Sequence, residues 1–86
     1  MPTISRFFGI TISMYFRDHA PPHFHAKDSS GQAKIEIDPL VVVESSLSRR
    51  GLGLVIEWAN EHQEELMDNW NRAREHETLK PIEPLR

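Results

Sequence analysis

Between Ile10 and Arg17 apolar and polar positions alternate, with Ile10, Ile12, Met14 and Phe16 on one side and Thr11, Ser13, Tyr15 and Arg17 on the other. A period of two predicts a half-buried strand over 10–17. Pro21 and Pro22 end the run, because a proline lacks the N–H a ladder needs and biases its predecessor toward extended geometry. A short strand over 23–27 can then turn Phe24 inward. Asp28-Ser29-Ser30-Gly31 is a turn signal. In the next strand, 32–38, Ala33, Ile35 and Ile37 face one way and Lys34, Glu36 and Asp38 the other. Asp38-Pro39 breaks that strand, and 40–44 reads as a fourth, rich in valine. Short connections make an antiparallel meander the simplest arrangement.

Past Ser46 the period lengthens to about three and a half. Leu52, Val55, Ala59, His62, Leu66, Trp70 and Ala73 share a stripe that Ile56, Trp58 and Met67 widen. This predicts one long amphipathic helix over about 48–75, with Ser46 or Ser48 as its cap and Gly51 and Gly53 weakening its first turns. The tail, 77–86, carries Pro81 and Pro84 and is expected to run extended. The expected fold class is therefore α+β: a four-stranded antiparallel meander packed against one long C-terminal α-helix, in a single domain spanning 1–86.

Length adds a constraint. A straight helix of that extent is ~40 Å long, whereas strands of five to seven residues span ~17 to 24 Å. Nothing between Leu54 and Glu75 is glycine or proline, so the pattern gives no cause for a break. One end is expected to overhang the sheet, and an overhang carrying Leu66 and Trp70 needs cover from the tail or from a second subunit. A homodimer follows as an expectation, with Trp58, Leu66 and Trp70 at its interface.

Composition narrows the chemistry. The 86 residues are 38% hydrophobic and 27% charged, as in an ordinary globular domain. The absence of cysteine excludes disulfides, thiolate metal sites and cysteine nucleophiles, so any metal must be held by nitrogen and oxygen. No segment approaches the ~20 apolar residues of a membrane span, and the amino terminus lacks a long apolar run. A cytoplasmic location is the expectation. A formal net charge of -3 gives no global positive field to draw in nucleic acid. Arg6, Arg17 and Lys27 remain candidates for local nucleic-acid or anion contacts. Arg49 and Arg50 are better explained as solvated surface charge.

The stretch DHAPPHFHA, 18–26, holds three of the five histidines. His23 and His25, two apart on a strand, project from one face and can converge. His19, across a proline-stiffened turn, can supply a third nitrogen. Three imidazoles and a water form one arrangement of a catalytic zinc centre, which makes a divalent metal such as zinc the candidate cofactor. Asp18 and Asp28 are spare oxygens nearby. The same His23 and His25 also suit metal-free acid and base catalysis beside Lys27, Arg17 or Arg6, as in cleavage of a phosphodiester. The plain alternative is a strand face whose histidines bond to one another, to carboxylates or to water. His62 lies on the apolar stripe and reads as a core or sheet-facing histidine, and its spacing to Glu65 also resembles a helical metal pair. Trp58 and Trp70 read as packing or dimer anchors, because an acidic helix repels phosphate.

The segments PTISRFFGI, MYFRDHAPPHFHA, RRGLGLVIEWANEHQEEL, NWNRARE and KPIEPL together resemble the bacterial domain-of-unknown-function 4160 family over nearly the whole chain. His19, Pro21, Pro22, His23, Phe24 and His25 match the family's histidine-and-proline motif, and His62 and Trp70 match as well. Gly51 and Gly53 depart from the better helix formers usual there. The resemblance implies a small prokaryotic cytoplasmic protein, often encoded beside another short gene, in toxin–antitoxin-like pairs or small regulatory operons. It implies no reaction. Three function classes stay open at this point: a histidine-cluster protein binding a divalent metal or nucleic acid, a metal-independent ribonuclease-like enzyme, and a protein-interaction module with structural histidines.

Overall fold

The structure, a computed structural model, describes residues 2–86. Five strands form one antiparallel sheet in the order β1 (Thr3–Phe7), β2 (Ile10–Ser13), β3 (His23–Lys27), β4 (Gln32–Glu36), β5 (Val41–Ser45). Two helices follow, α1 (Arg49–Glu61) and α2 (Gln63–Arg74). The α+β class and the meander agree with the sequence reading, but there are five strands instead of four and two helices instead of one.

The additional strand, β1, lies where no alternation marks it. A bulge between Thr3 and Ser5 breaks the period of two, so Ile4 and Ser5 are both buried. Phe8 and Gly9 form the tight connection to β2, both at positive φ (50° and 79°), with Phe7 opposite Ile10. Two residues at positive φ make the turn that matches strand twist in hairpins. β2 ends at Ser13, four residues before the expected Arg17. Ser13 pairs with Thr3 on one side and His25 on the other, and beyond it the chain leaves the sheet.

Across the core face, Ile12 lies opposite Ala26, and Ala26 opposite Ala33. Phe24 and Ile35 form the next row and meet Val55, Trp58, Ala59, Leu66 and Trp70 of the helices in one buried cluster. Ser48 caps α1, its hydroxyl accepting from the Gly51 N–H at 3.0 Å. A Cβ at Gly51 would lie 2.8 Å from Asp28 Oδ2 and 2.9 Å from Ser48 Oγ. A side chain at this position would push aside the Asp28 carboxylate or the Ser48 cap where the helix start packs on the β3–β4 turn.

The predicted single helix is interrupted at His62, whose φ of -125° leaves the helical range. The His62 N–H donates to Ala59 O at 3.1 Å, and the Leu66 N–H then takes His62 O at 2.9 Å, so a new helix starts at once. Gln63 Nε2 donates to Ile37 O at 2.8 Å and fixes the start of α2 to the end of the sheet. The longest dimension of the molecule is 33 Å, shorter than the ~40 Å of an unbroken helix. The break removes the overhang.

The residues expected at a dimer interface, Trp58, Leu66 and Trp70, are therefore core residues of the single chain, exposed by 0, 0 and 2%. Of the two covers considered for them, the tail supplies one within the chain itself. Ile82 is buried and its N–H donates to Ile4 O at 2.8 Å, Trp58 Nε1 donates to Glu83 O at 2.8 Å, and the buried Asn69 bonds both Lys80 O and Lys80 N. The overhang argument for a homodimer loses its basis. No helix is long and apolar enough to cross a membrane among the described residues.

Phe8 is a large exposed aromatic at positive φ, a conformation that costs a non-glycine side chain and that Arg17 and His76 also adopt. Phe8→Asn supplies the residue this turn favours, and we expect it to stabilise the fold by about 0.5 to 1 kcal/mol, read as a higher urea midpoint at unchanged m-value. A lower midpoint would contradict the turn assignment.

Candidate metal centre

Residues 14–22 leave the sheet and are fastened to the far end of α2 before returning as β3. The Arg17 N–H donates to Ala73 O at 3.3 Å with Arg17 at φ 51°, and the Phe16 ring stacks on His76 at 5.4 Å with a 5° interplanar angle. This tether delivers Asp18 to the start of β3. Asp18 Oδ1 accepts the His19 N–H at 2.8 Å, which turns Oδ2 toward His23.

His23 is 2% exposed, and both of its ring nitrogens are engaged. Nδ1 lies 2.8 Å from Pro21 O and Nε2 lies 2.7 Å from Asp18 Oδ2. A carbonyl can only accept, so Nδ1 carries a hydrogen. An ionised Asp18 can also only accept, so Nε2 donates as well, and a proton occupies the point between carboxylate and ring. Trp70 backs the imidazole at 5.2 Å.

His25 stands edge-on to His23 at 5.2 Å, with Tyr15 edge-on at 4.8 Å on its other side. Its Nε2 points at the same Asp18 oxygen from 3.6 Å, beyond hydrogen-bond reach. That nitrogen is buried and has no partner among the described residues. Burial pushes the His25 imidazole below its ordinary 6.5, and the charge of His23 adds to the effect against the pull of Asp18. His25 is thus neutral, with a lone pair available, at neutral pH. Burial alone would raise the Asp18 carboxyl, but the His19 N–H and the two imidazoles outweigh it and hold it below the usual carboxylate range.

Asp18, His23 and His25 each present one donor atom, and the three lie within 4.8 Å of one another. A tetrahedral ion with ~2.1 Å bonds separates its ligands by roughly 3.4 Å, so small movements of these side chains would admit one. The Nδ1–H of His23 on a backbone carbonyl leaves Nε2 as the coordinating nitrogen, the second-layer arrangement usual for metal-bound histidine.

The sequence pointed to His19, His23 and His25 around one point; the structure brings His23 and His25 together with Asp18 and leaves the His19 side chain outside that group. The main-chain N–H of His19 is what binds Asp18, and its side chain is outside the set that converges. Asp28 accepts the Ser30 and Gly31 N–H groups at 2.7 and 3.0 Å and serves its turn. His62 Nδ1 and Glu65 Oε1 meet at 2.6 Å, without a third donor gathered around them among the described residues. Of the candidate anion contacts, Arg6 and Lys27 lie on strands, whereas Arg17 belongs to the tether. The spacing of Asp18, five residues before His23 across the proline turn, was the available signal for it.

No curated protein and no solved structure matches the chain. Residues 9–71, which include the whole centre, match the family described as Domain of unknown function (DUF4160). With most of its length covered by that match, the chain belongs to the domain-of-unknown-function 4160 family.

Proposed function

We propose that this chain is a divalent-metal-binding protein whose ligands are Asp18 Oδ2, His23 Nε2 and His25 Nε2. The observation that carries the reading is the buried, unpartnered His25 Nε2 aimed at the point where the other two donors meet. A buried imidazole nitrogen without a partner is costly, and a cation at that point satisfies it while replacing the proton on His23. Two imidazoles and one carboxylate suit zinc, iron(II) or a similar ion and leave a coordination position open. When bound, such an ion lowers the pKa of its own water and supplies a nucleophile near neutral pH. The metal-free ribonuclease reading is less well supported, because both Nε2 atoms turn inward on Asp18 instead of facing a substrate. A place in a toxin–antitoxin-like or regulatory operon, with the product of a neighbouring small gene as partner, belongs to this reading through the family resemblance.

Zinc titrated into the protein by calorimetry is expected to bind at one equivalent. Asp18→Asn and His25→Gln should each weaken it by at least about tenfold, whereas His19→Ala should leave it unchanged. Absence of binding to the folded wild type, or equal loss in His19→Ala, contradicts the proposal. Asp18→Asn and His25→Gln avoid His23, whose removal would also open the core.

The metal-free protein, held in EDTA, should lose stability in acid. His25 has a lowered folded pKa, so the unfolded chain takes up its proton first, and stability falls as pH drops below about 6.5 toward the folded value. Asp18, also lowered, adds stability above about 3.9 that is lost at still lower pH. Urea midpoints between about pH 7 and 5 should therefore decline, and less steeply in His25→Gln. Identical slopes in the two proteins would show that His25 is not held neutral.

A further inference from the structure

The strand register lays out the second face of the sheet, which is buried at Ser13 and at His23, where Trp70 backs it, and open at Arg6 and Lys27. One row across it reads Arg6, Thr11, Lys27, Gln32, and the next reads Ser13, His25, Lys34, Glu44. These rows alternate with the row Ile12, Ala26, Ala33, which faces the core. Three cations, Arg6, Lys27 and Lys34, therefore share the open face with His25. Two carboxylates share it too: Glu44 opposite Lys34, and Glu36 opposite His23. The ion pairs among the described residues engage only histidines, Arg72 and Arg86 as their basic partners, so Arg6, Lys27 and Lys34 are not tied to either glutamate.

The cations lie on β1, β3 and β4, and with strands ~4.8 Å apart they extend over roughly 15 Å, more than one phosphate group can engage. Beside His25 stands Tyr15, 44% exposed and edge-on to the imidazole at 4.8 Å. Cations spaced along an open sheet with an aromatic at one end fit a backbone of successive phosphates carrying stackable bases.

We propose that this open face binds single-stranded nucleic acid, with Arg6, Lys27 and Lys34 on phosphates and Tyr15 under a base. The face leads to the Asp18, His23 and His25 centre, so a bound strand passes beside it. Binding to the cations does not depend on a metal, and it is tested without one. The overall charge of -3 makes the interaction local and salt-sensitive.

The experiment is fluorescence anisotropy of a short fluorescein-labelled oligouridylate with the full chain in EDTA. Wild type should bind, and the slope of log K against log salt should be about -2 for three contacts. Lys27→Ala/Lys34→Ala should bind at least about tenfold more weakly, with the slope reduced to about -0.7. Tyr15→Leu should also weaken binding but leave the slope unchanged. The double variant Arg49→Ala/Arg50→Ala removes the same charge from outside the sheet and should behave as wild type. The proposal is overturned by absence of wild-type binding at about 50 mM salt, or by equal losses in the two double variants. It is also overturned if inorganic phosphate, matched per phosphate group, displaces the probe as well as unlabelled oligonucleotide does, for then the face holds an isolated oxyanion. Because EDTA is present throughout, failure here leaves the metal proposal standing, and failure of zinc binding leaves this one standing.

Discussion

The contact between Asp18 Oδ2 and His23 Nε2, 2.7 Å long and largely out of solvent, organises the functional half of this molecule. It closes the connection between β2 and β3 and holds the buried His23 against Trp70. It also places a carboxylate oxygen where His25 can point at it. A carboxylate and a doubly donating imidazole satisfy one another, but they leave His25 with nothing to bond. On the proposed reading, the centre is balanced between a proton and a larger cation, and its chemistry depends on which of the two is bound.

That balance needs a fixed loop, and the loop is fixed from the helices. Arg17 bonds the end of α2 and Phe16 stacks on His76, so the path to Asp18 depends on where α2 ends. The position of α2 is in turn set by the interruption at His62 and by Gln63 on Ile37 O. Without the interruption, Leu66 and Trp70 would run past the sheet. With it they close the core, and the tail fastens over them through Asn69 and Trp58. The apolar stripe and the candidate centre are consequently one problem in packing.

Much of this was legible in the sequence. Alternation located β3 and β4 closely, because each has one face on the core, and of the two serines offered as a cap, Ser46 and Ser48, it is Ser48 that caps α1. β1 escaped because its bulge buries Ile4 and Ser5 together, and because the apolar Phe8 sits in the turn rather than in a strand. The break at His62 escaped because no glycine or proline signals it. His62 sits at the cap of α2 without a side-chain cap bond, and its ring meets Glu65 three positions on, a spacing that in the sequence resembled a metal pair. At the centre, the His-x-His spacing exposed His23 and His25, since period two in a strand is reliable geometry. His19 looked equivalent in sequence, but a loop obeys no such period. Asp18 won the third position through the main-chain bond that orients it.

The most direct test of the account is to locate zinc in crystals of the loaded protein by anomalous scattering at the zinc edge. The account requires one strong peak about 2.0 to 2.2 Å from Asp18 Oδ2, His23 Nε2 and His25 Nε2, with Pro21 O still accepting from His23 Nδ1. A peak at His62 and Glu65, or at His19, with the Asp18–His23 bond intact would show that the inner cluster is a structural hydrogen-bond network and that the candidate centre lies elsewhere.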